Sequence, residues 1–211
     1  MITLYTWSTP NGRKASIALE ELALDYEVVP VNIGKDEQFA PDFLKVSPNN
    51  KIPAIVDHDA PGGPLSLFES GAILVYLAEK TGKLLAASGP ARYAALEWTF
   101  WQMGGLGPML GQLGFFAVRS KEKSPEAIER FTTESARLLG VMEKRLQQVP
   151  YLAGDAYSIA DIACYAWTFG ASTRLKDAAP GIWGELPAVE RWLATVGDRP
   201  AVKRGMAIPQ T

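Results

Sequence analysis

The sequence predicts an α/β domain over residues 1–83 followed by an all-helical domain over residues 88–211. Two observations support this division. Short β-branched and aromatic runs alternate with helical patterns in the first region, whereas helical patterns alone occur in the second. Between the two regions, residues 83–90 are rich in Ala, Ser, Gly and Pro, which is typical of a linker.

The predicted α/β domain has the order strand, helix, strand, followed by a two-stranded hairpin and a helix. Strands are predicted at residues 2–6, 26–31, 52–56 and 65–68, and helices at residues 10–22 and 70–80. Thr9 supplies a capping hydroxyl and Pro10 occupies the first position of the first helix. The strand–helix–strand unit predicts parallel pairing with a right-handed crossover. Residues 36–46 are compatible with either a loop or a short helix.

The predicted helical domain contains one long amphipathic helix and one helix that is apolar nearly all round. The long helix covers residues 125–149, and the apolar helix follows Ser158, which forms a capping-box pattern with Asp161. A helix that is apolar on all sides belongs in a core, so this motif predicts a structural role. A shorter helix is predicted at residues 92–104, and five glycines and a proline within residues 104–114 are expected to interrupt it.

The charge of the chain argues against polyanionic partners. The 211 residues include 21 basic and 23 acidic side chains, which gives a formal net charge of -2 at pH 7. No broad basic field is available to bind nucleic acid or an anionic membrane surface. Apolar runs stay shorter than the roughly 20 residues that span a bilayer, and the first residues lack a signal-peptide pattern. We therefore expect a cytoplasmic protein with neither a nucleic-acid nor a membrane partner.

A single Cys and a single His exclude several kinds of active site. One Cys cannot form an intramolecular disulfide, and a Cys/His zinc site would have too few ligands, so no metal is expected. Cys164 lies in an apolar run, which is typical of a buried small side chain rather than a nucleophile. A catalytic triad would have to include His58, which lies in a turn-like stretch. Thiol chemistry would therefore need a thiol from another molecule.

The start of the first helix is a candidate site for such a thiol. Thr9 and Asn11 flank this helix N-terminus, where unpaired N–H groups and a partial positive charge lower the pKa of a nearby thiol. A hydroxyl at this position can also donate a hydrogen bond to a thiolate. The alternative is that Thr9 is an ordinary helix cap.

Two further features fit the remainder of a peptide-like ligand. If the bond between Ile52 and Pro53 is cis, the Ile52 backbone is turned outward and can pair with an extended ligand. Ser70, at a predicted helix N-terminus, suits a carboxylate, while Glu69 suits an ammonium group. The alternatives are an edge-strand proline and a Ser cap beside a surface Glu. The three features together, in this order, favour a binding site.

These features resemble those of the cytosolic glutathione transferase family, which also has an appended helical domain. The segment SIAD resembles that family's capping motif in its core helix. The segments TPNGRK, SPNNKIPAIVD, LSLFESGAILVYLAEKTG, FWQMGGLGPMLGQ and AIERF are similar to the Nu class, the bacterial glutathione-dependent disulfide-bond oxidoreductases. The resemblance covers nearly the whole chain. It implies a thioredoxin-like βαβ-ββα domain, a C-terminal helical bundle and a homodimer.

The resemblance also implies roles for individual residues toward glutathione. Thr9 would lie near the sulfur with Asn11 beside it, and the Ile52 backbone would pair with the cysteinyl unit. Glu69 and Ser70 would hold the γ-glutamyl head. The glycyl end and a glutathione carboxylate would be contacted by Gln38, Lys51 and Arg130.

The activity implied by the class is disulfide reduction with one or two bound glutathione molecules as co-substrates. Conjugation of glutathione to small electrophiles is one alternative, and a non-catalytic ligand-binding or regulatory protein of the same fold is another. Phe115 and Phe116 replace a more polar stretch expected of the class. Because that region is expected to line the second-substrate pocket, they favour a hydrophobic co-substrate.

Overall fold

The structure is a computed structural model that describes residues 1–210. It contains two compact units. The first consists of Met1–Ala87 together with the C-terminal segment that starts at Asp198, and the second consists of Ser88–Gly197. The first unit combines a β-sheet with helices, whereas the second is built almost entirely of helices.

A four-stranded mixed sheet forms the centre of the first unit. The elements are β1 (Ile2–Thr6), α1 (Pro10–Leu22), β2 (Tyr26–Pro30), α2 (Pro41–Val46), β3 (Ala54–Asp57), β4 (Leu65–Phe68) and α3 (Ser70–Thr81). The strand order is β2-β1-β3-β4, with β1 parallel to β2 and β3 antiparallel to both of its neighbours. This confirms the predicted βαβ-ββα arrangement. Residues 36–46, which were compatible with a loop or a short helix, contain a short helical turn, Glu37–Phe39, and then α2.

The two faces of the sheet are covered by different helices, and the alternation along β1 shows how. Tyr5 packs against Phe43 of α2, with ring centroids 6.0 Å apart. Thr6 points to the opposite face, where it adjoins Gly12 of α1. Helices α1 and α3 pack against each other on this second face. Leu4 of β1 also points to this second face and is fully buried.

The second unit is organised around a buried helix. Its helices are α4 (Gly89–Trp101), α5 (Gly107–Leu113), α6 (Pro125–Leu146), α7 (Ile159–Gly170), α8 (Lys176–Ala178) and α9 (Pro187–Gly197). The capping box of Ser158 and Asp161 at the start of α7 is confirmed. The Asp161 carboxylate also accepts hydrogen bonds from the Leu152 N–H at 3.0 Å and from the Trp192 indole at 2.9 Å. Burial raises the pKa of Asp161, and these hydrogen bonds oppose the rise.

The glycine-rich segment after α4 does not interrupt the helix as expected. A π-helical turn, Gln102–Leu106, carries the chain from α4 directly into α5, and a second π-helical turn follows at Gly114–Arg119. The Gly107 N–H bonds the Gln102 carbonyl, five residues back. Pro108 has no N–H, and in a regular helix its ring would clash with the carbonyl four residues back. The wider π turn just before it allows the helix to continue.

The C-terminal segment that starts at Asp198 lies in the first unit, whereas the sequence-based division assigned all residues from 88 to 211 to the helical domain. Helix α10 (Pro200–Met206) packs on α1 within the first unit. Arg199 forms a bidentate ion pair with Glu21, at 2.6 and 2.7 Å. The Ser16 hydroxyl donates to the Gly205 carbonyl at 2.7 Å. A Cβ atom at Gly205 would lie 2.5 Å from the backbone of Ile17, so this close approach requires glycine.

Candidate functional site

One end of the sheet brings three of the predicted segments together. Near the end of β1, Tyr5 pairs with Ala54 at the start of β3, and Ala54 pairs with Phe68 at the end of β4. The segments that follow β1, precede β3 and follow β4 therefore lie side by side. They carry the predicted site residues Thr9, Asn11, Lys51, Ile52, Glu69 and Ser70.

Thr9 caps the N-terminus of α1, as the sequence predicted. Its Oγ1 accepts a hydrogen bond from the Gly12 N–H at 3.1 Å. This bond uses an oxygen lone pair, so the hydroxyl hydrogen can still be donated. No residue between 1 and 210 accepts it. Thr9 is half-buried, and Asn11 is half-buried in the first turn of the helix. The arrangement offers a directed donor and a helix N-terminus to an anion such as a thiolate.

Gly12 fixes the position of this helix start against the end of β1. A Cβ atom at Gly12 would lie 2.2 Å from the Trp7 carbonyl oxygen and 2.5 Å from Thr6 Oγ1. Only glycine allows this approach of helix to strand. The backbone fit therefore determines where Thr9 stands, and it places the Thr9 hydroxyl close to the sheet end.

Glu69 and Ser70 lie at the N-terminus of α3. Ser70 is the first residue of the helix and is 5% exposed, whereas Glu69 before it is exposed. Glu69 has φ 72° and ψ 112°, a backbone conformation that is unfavourable for a residue with a side chain. Strained residues of this kind are concentrated at ligand-binding sites. The turn holds an exposed carboxylate beside a buried hydroxyl at a helix N-terminus, which suits the ammonium and carboxylate of an amino-acid head group.

Lys14 is a buried cation beside this turn that the sequence analysis did not single out. Its Nζ lies 3.4 Å from Ser70 Oγ, and the residue is only 1% exposed. One sequence signal was available. Lys14 precedes Ala18 by four positions and Ile17 by three, so it lies on the helix face that the buried residues define. Lysine is almost never fully buried unless it is paired, so a lysine within an apolar stripe indicates a buried charge with a partner.

Ile52 belongs to a small apolar cluster on the α2 side of the first unit. Its partners are Val31, Phe43 and Ala54, with the half-buried Tyr5, Trp7 and Val46 packed against them. The Ile52–Pro53 peptide bond is cis. The side chain is thus anchored in the cluster while the residue stands just before β3, at the sheet end described above.

Gln38 and Lys51 are less strongly positioned than the other predicted site residues of the first unit. Gln38 lies in the turn after β2, where its Nε2 donates to Asp36 at 3.4 Å. Its buried Oε1 has no hydrogen-bond partner among residues 1–210, which leaves an acceptor for a ligand donor. Lys51 is exposed, and its carbonyl accepts a hydrogen bond from the Ser47 hydroxyl at 2.7 Å.

Arg130 belongs to the second unit, whereas the residues above belong to the first. It is exposed on α6 and lines a groove of about 550 Å³. Near it in the sequence, Phe131 stacks on Phe116 with ring centroids 5.7 Å apart. Phe115 meets Phe116 edge-on at 5.1 Å, and the Arg119 guanidinium lies 5.9 Å from the centre of the Phe115 ring. The two phenylalanines singled out in the sequence thus form one aromatic cluster with α6.

The described residues offer little for metal or protein-thiol chemistry. Among residues 1–210, no group of three or more His, Cys, Asp or Glu side chains is placed to hold a metal ion. Cys164 is fully buried in α7. Within the same residues, none of the helices combines the length and the apolar character that a membrane span requires.

Comparison with protein families gives two matches that together cover most of the chain. Residues 1–79 match the family model described as "Glutathione S-transferase, N-terminal domain". Residues 106–200 match the model described as "Glutathione S-transferase, C-terminal domain".

Individual relatives agree with these matches. The "Disulfide-bond oxidoreductase YfcG" of Escherichia coli K12 is 51% identical over 208 residues, which is 98% of this chain and 94% of the relative. A glutathione transferase from Burkholderia graminis, solved with two glutathione molecules per subunit, has TM-score 0.94 and 46% identity, covering 99% of this chain and 88% of that one. One from Pseudomonas putida, solved with one glutathione disulfide per subunit, has TM-score 0.93 and 45% identity, covering 99% and 91%.

Proposed function

Because the chain belongs to the glutathione S-transferase family, we propose that it is an enzyme that reduces disulfides with the thiols of bound glutathione. The observation that carries this proposal is the Thr9 hydroxyl, which accepts from the Gly12 N–H and retains its hydrogen for an anion at the N-terminus of α1. Two relatives support the choice of reaction. The Escherichia coli protein is named a disulfide-bond oxidoreductase, and the Burkholderia graminis structure holds two glutathione molecules per subunit.

The proposed reaction has two thiol–disulfide exchange steps. The thiolate of one glutathione, stabilised by Thr9 and the α1 N-terminus, attacks a sulfur of the substrate disulfide. A mixed disulfide forms, and one substrate sulfur leaves as a thiolate that takes up a proton. A second glutathione thiolate then attacks the mixed disulfide, which releases glutathione disulfide and the other substrate thiol. Two glutathione molecules are oxidised for each disulfide reduced, and neither step needs a protein Cys or His.

Most of the proposed binding roles belong to residues at the sheet end described above. Thr9 and Asn11 face the sulfur, the Ile52 backbone pairs with the cysteinyl unit, and Glu69 with Ser70 holds the γ-glutamyl ammonium and carboxylate. The buried, unpartnered Oε1 of Gln38 supports a ligand contact there. Contacts of Lys51 with the glycyl end and of Arg130 with a glutathione carboxylate remain predictions.

Conjugation of glutathione to electrophiles is a second candidate, because the same thiolate can attack carbon instead of sulfur. The aromatic cluster of Phe115, Phe116 and Phe131 supports it, since aromatic side chains favour hydrophobic co-substrates.

Two turnover assays separate these candidates. We expect glutathione-dependent reduction of hydroxyethyl disulfide to be rapid and conjugation of chlorodinitrobenzene to be negligible. The reverse result would replace the reductase assignment with a transferase. Absence of both activities, in a protein that binds glutathione, would favour a ligand-binding function.

We further propose that the protein is a cytoplasmic homodimer. Tyr93 and Phe100 of α4 are seven positions apart on one helix face, and they are 69% and 68% exposed. Exposed aromatic residues in such a row favour an interface between copies of the chain. A cytoplasmic location is supported by the proposed chemistry, because that compartment keeps glutathione reduced. Cell fractionation tests the location.

A further inference from the structure

We propose that Lys14 is a positioning residue for the α-carboxylate of the γ-glutamyl unit of glutathione. Lys14 acts on this carboxylate through the Ser70 hydroxyl and through its own charge. The inference rests on the proposed function, since it assumes that Ser70 receives the γ-glutamyl head. It adds a residue and an electrostatic origin for carboxylate recognition.

The geometry places a buried ammonium group directly behind the proposed carboxylate site. Lys14 Nζ lies 3.4 Å from Ser70 Oγ, with Lys14 1% and Ser70 5% exposed. Lys14 stands in the second turn of α1, and Ser70 begins α3, so the contact joins the two helices whose N-termini form the proposed site. Lysine is rarely so deeply buried, because removing an ammonium group from water is costly.

The Lys14–Ser70 contact holds the Ser70 hydroxyl beside a buried positive charge. An ammonium group has only donors, so Ser70 Oγ accepts from Lys14. The positive charge of Lys14 and the N–H groups of the first turn of α3 both favour an anion at Ser70. Screening by solvent is weak around a buried charge, so its attraction for a nearby carboxylate is strong.

The test removes the proposed interaction in two ways, once by changing the protein and once by changing the ligand. Lys14→Met removes the charge and keeps a long unbranched side chain, and Lys45→Met is the matched control. Lys45 is exposed and pairs only at the surface with Asp42. Each protein is assayed for disulfide reduction with glutathione, with its 4-aminobutyryl analogue, which lacks the α-carboxylate, and with its glutaryl analogue, which lacks the α-amino group.

We expect Lys14→Met to raise the KM for glutathione about tenfold, because hydrogen bonds to charged groups have effects of this size. The KM for the glutaryl analogue should rise by the same factor, since that analogue retains the carboxylate. The KM for the 4-aminobutyryl analogue should stay unchanged. Equal losses for all three thiols, or no loss with glutathione, would overturn the proposal. Lys45→Met should match the wild type throughout.

A second measurement applies if Lys14→Met does not fold. In the wild-type protein, the ammonium nitrogen resonance of Lys14 should shift on addition of glutathione or the glutaryl analogue, but not of the 4-aminobutyryl analogue. An equal shift with all three would contradict a role in carboxylate recognition. Failure of this inference is distinct from failure of the proposed function, since the latter appears as absent disulfide reduction in the wild type with glutathione.

Discussion

Thr9 and Ser70 use their hydroxyl groups in the same way. Each oxygen accepts a hydrogen bond from inside the first unit: Thr9 from the Gly12 N–H and Ser70 from the Lys14 ammonium. The Thr9 hydrogen can therefore be donated at the N-terminus of α1, and Ser70 is held beside a buried positive charge at the start of α3. At the residue scale, the proposed site offers donors and positive charge to two anions, a thiolate and a carboxylate.

The Thr9 donor can be tested by comparing Thr9→Ala with Thr9→Ser. Thr9→Ala removes the donor, so we expect the pKa of the bound glutathione thiol to rise toward its ordinary value of about 8.5. Turnover at neutral pH should fall about tenfold or more, since loss of a donor to a reacting anion has effects of this size or larger. Ultraviolet absorbance of the thiolate, followed against pH, measures the pKa directly.

Thr9→Ser is the control, because serine preserves both the cap and the donor. It should retain the wild-type thiol pKa and most of the turnover. Thr9→Ala also removes the α1 cap and should reduce stability by about 1 kcal/mol. An unchanged thiol pKa and turnover in Thr9→Ala would remove Thr9 from the mechanism.

At the scale of elements, the end of β3 is tied to α3 by a buried carboxylate. Asp57 is fully buried, and it accepts hydrogen bonds from Tyr76 at 2.6 Å and from Lys80 at 2.7 Å. Burial alone would raise the pKa of Asp57, but these two partners outweigh it and hold the pKa below its usual range. Burial and the same contact raise the pKa of Tyr76 to about 12. The contact fixes α3, and therefore Ser70 at its start.

The Asp57 contact predicts a pH dependence of stability. A carboxylate whose pKa is lowered on folding contributes stability above its unfolded pKa of about 3.9, and this contribution is lost as the pH falls through the folded value. Asp57→Asn should therefore be less stable than the wild type at neutral pH, by about 2 kcal/mol. The difference should narrow as the pH falls below about 4. Urea unfolding followed by tryptophan fluorescence at a series of pH values measures both effects.

Asp42→Asn provides the comparison, because Asp42 pairs with Lys45 on the exposed surface of α2. This variant should unfold like the wild type across the pH series, since exposed ion pairs contribute little. A difference between Asp57→Asn and the wild type that stayed constant with pH would show that the Asp57 charge is not the source of the stability.

Elements with strong local signals could be predicted from the sequence, and those that depend on distant contacts could not. The cap at Thr9 and the capping box at Ser158 are confirmed. Each depends on residues close together in the chain. The π-helical turn Gln102–Leu106 was missed, because glycine and proline weaken a helix locally and the prediction took them as a break.

At the scale of the whole molecule, the same distinction explains why the sequence did not predict where the C-terminal segment packs. Helix α10 returns to α1 through Arg199 and Glu21, which are 178 positions apart, and no local pattern signals such a pairing. The candidate site could be predicted in part, because Thr9 and Ser70 follow predicted strands and Ile52 begins one, all at the same sheet end. Lys14 was not recognised, since its significance depends on contact with a helix that begins 56 positions later.

The proposed homodimer gives a prediction for the intact chain. Phe100→Glu should convert a dimer into a monomer, because it places a charge in the exposed aromatic row of α4. Light scattering coupled to size-exclusion chromatography measures the mass. Phe39→Glu is the control: Phe39 is 53% exposed in the first unit, outside α4, and this variant should keep the wild-type mass. A monomeric wild type, or a dimeric Phe100→Glu, would contradict the proposed interface.

In the proposed mechanism, glutathione supplies every thiol that reacts. Cys164 is the only cysteine of the chain and is fully buried, so Cys164→Ala yields a protein without thiols at a stability cost of about 1 kcal/mol. The measurement is glutathione-dependent reduction of hydroxyethyl disulfide by this variant, with circular dichroism to verify folding. We predict turnover equal to that of the wild type. A folded Cys164→Ala protein that binds glutathione but no longer reduces the disulfide would contradict this mechanism.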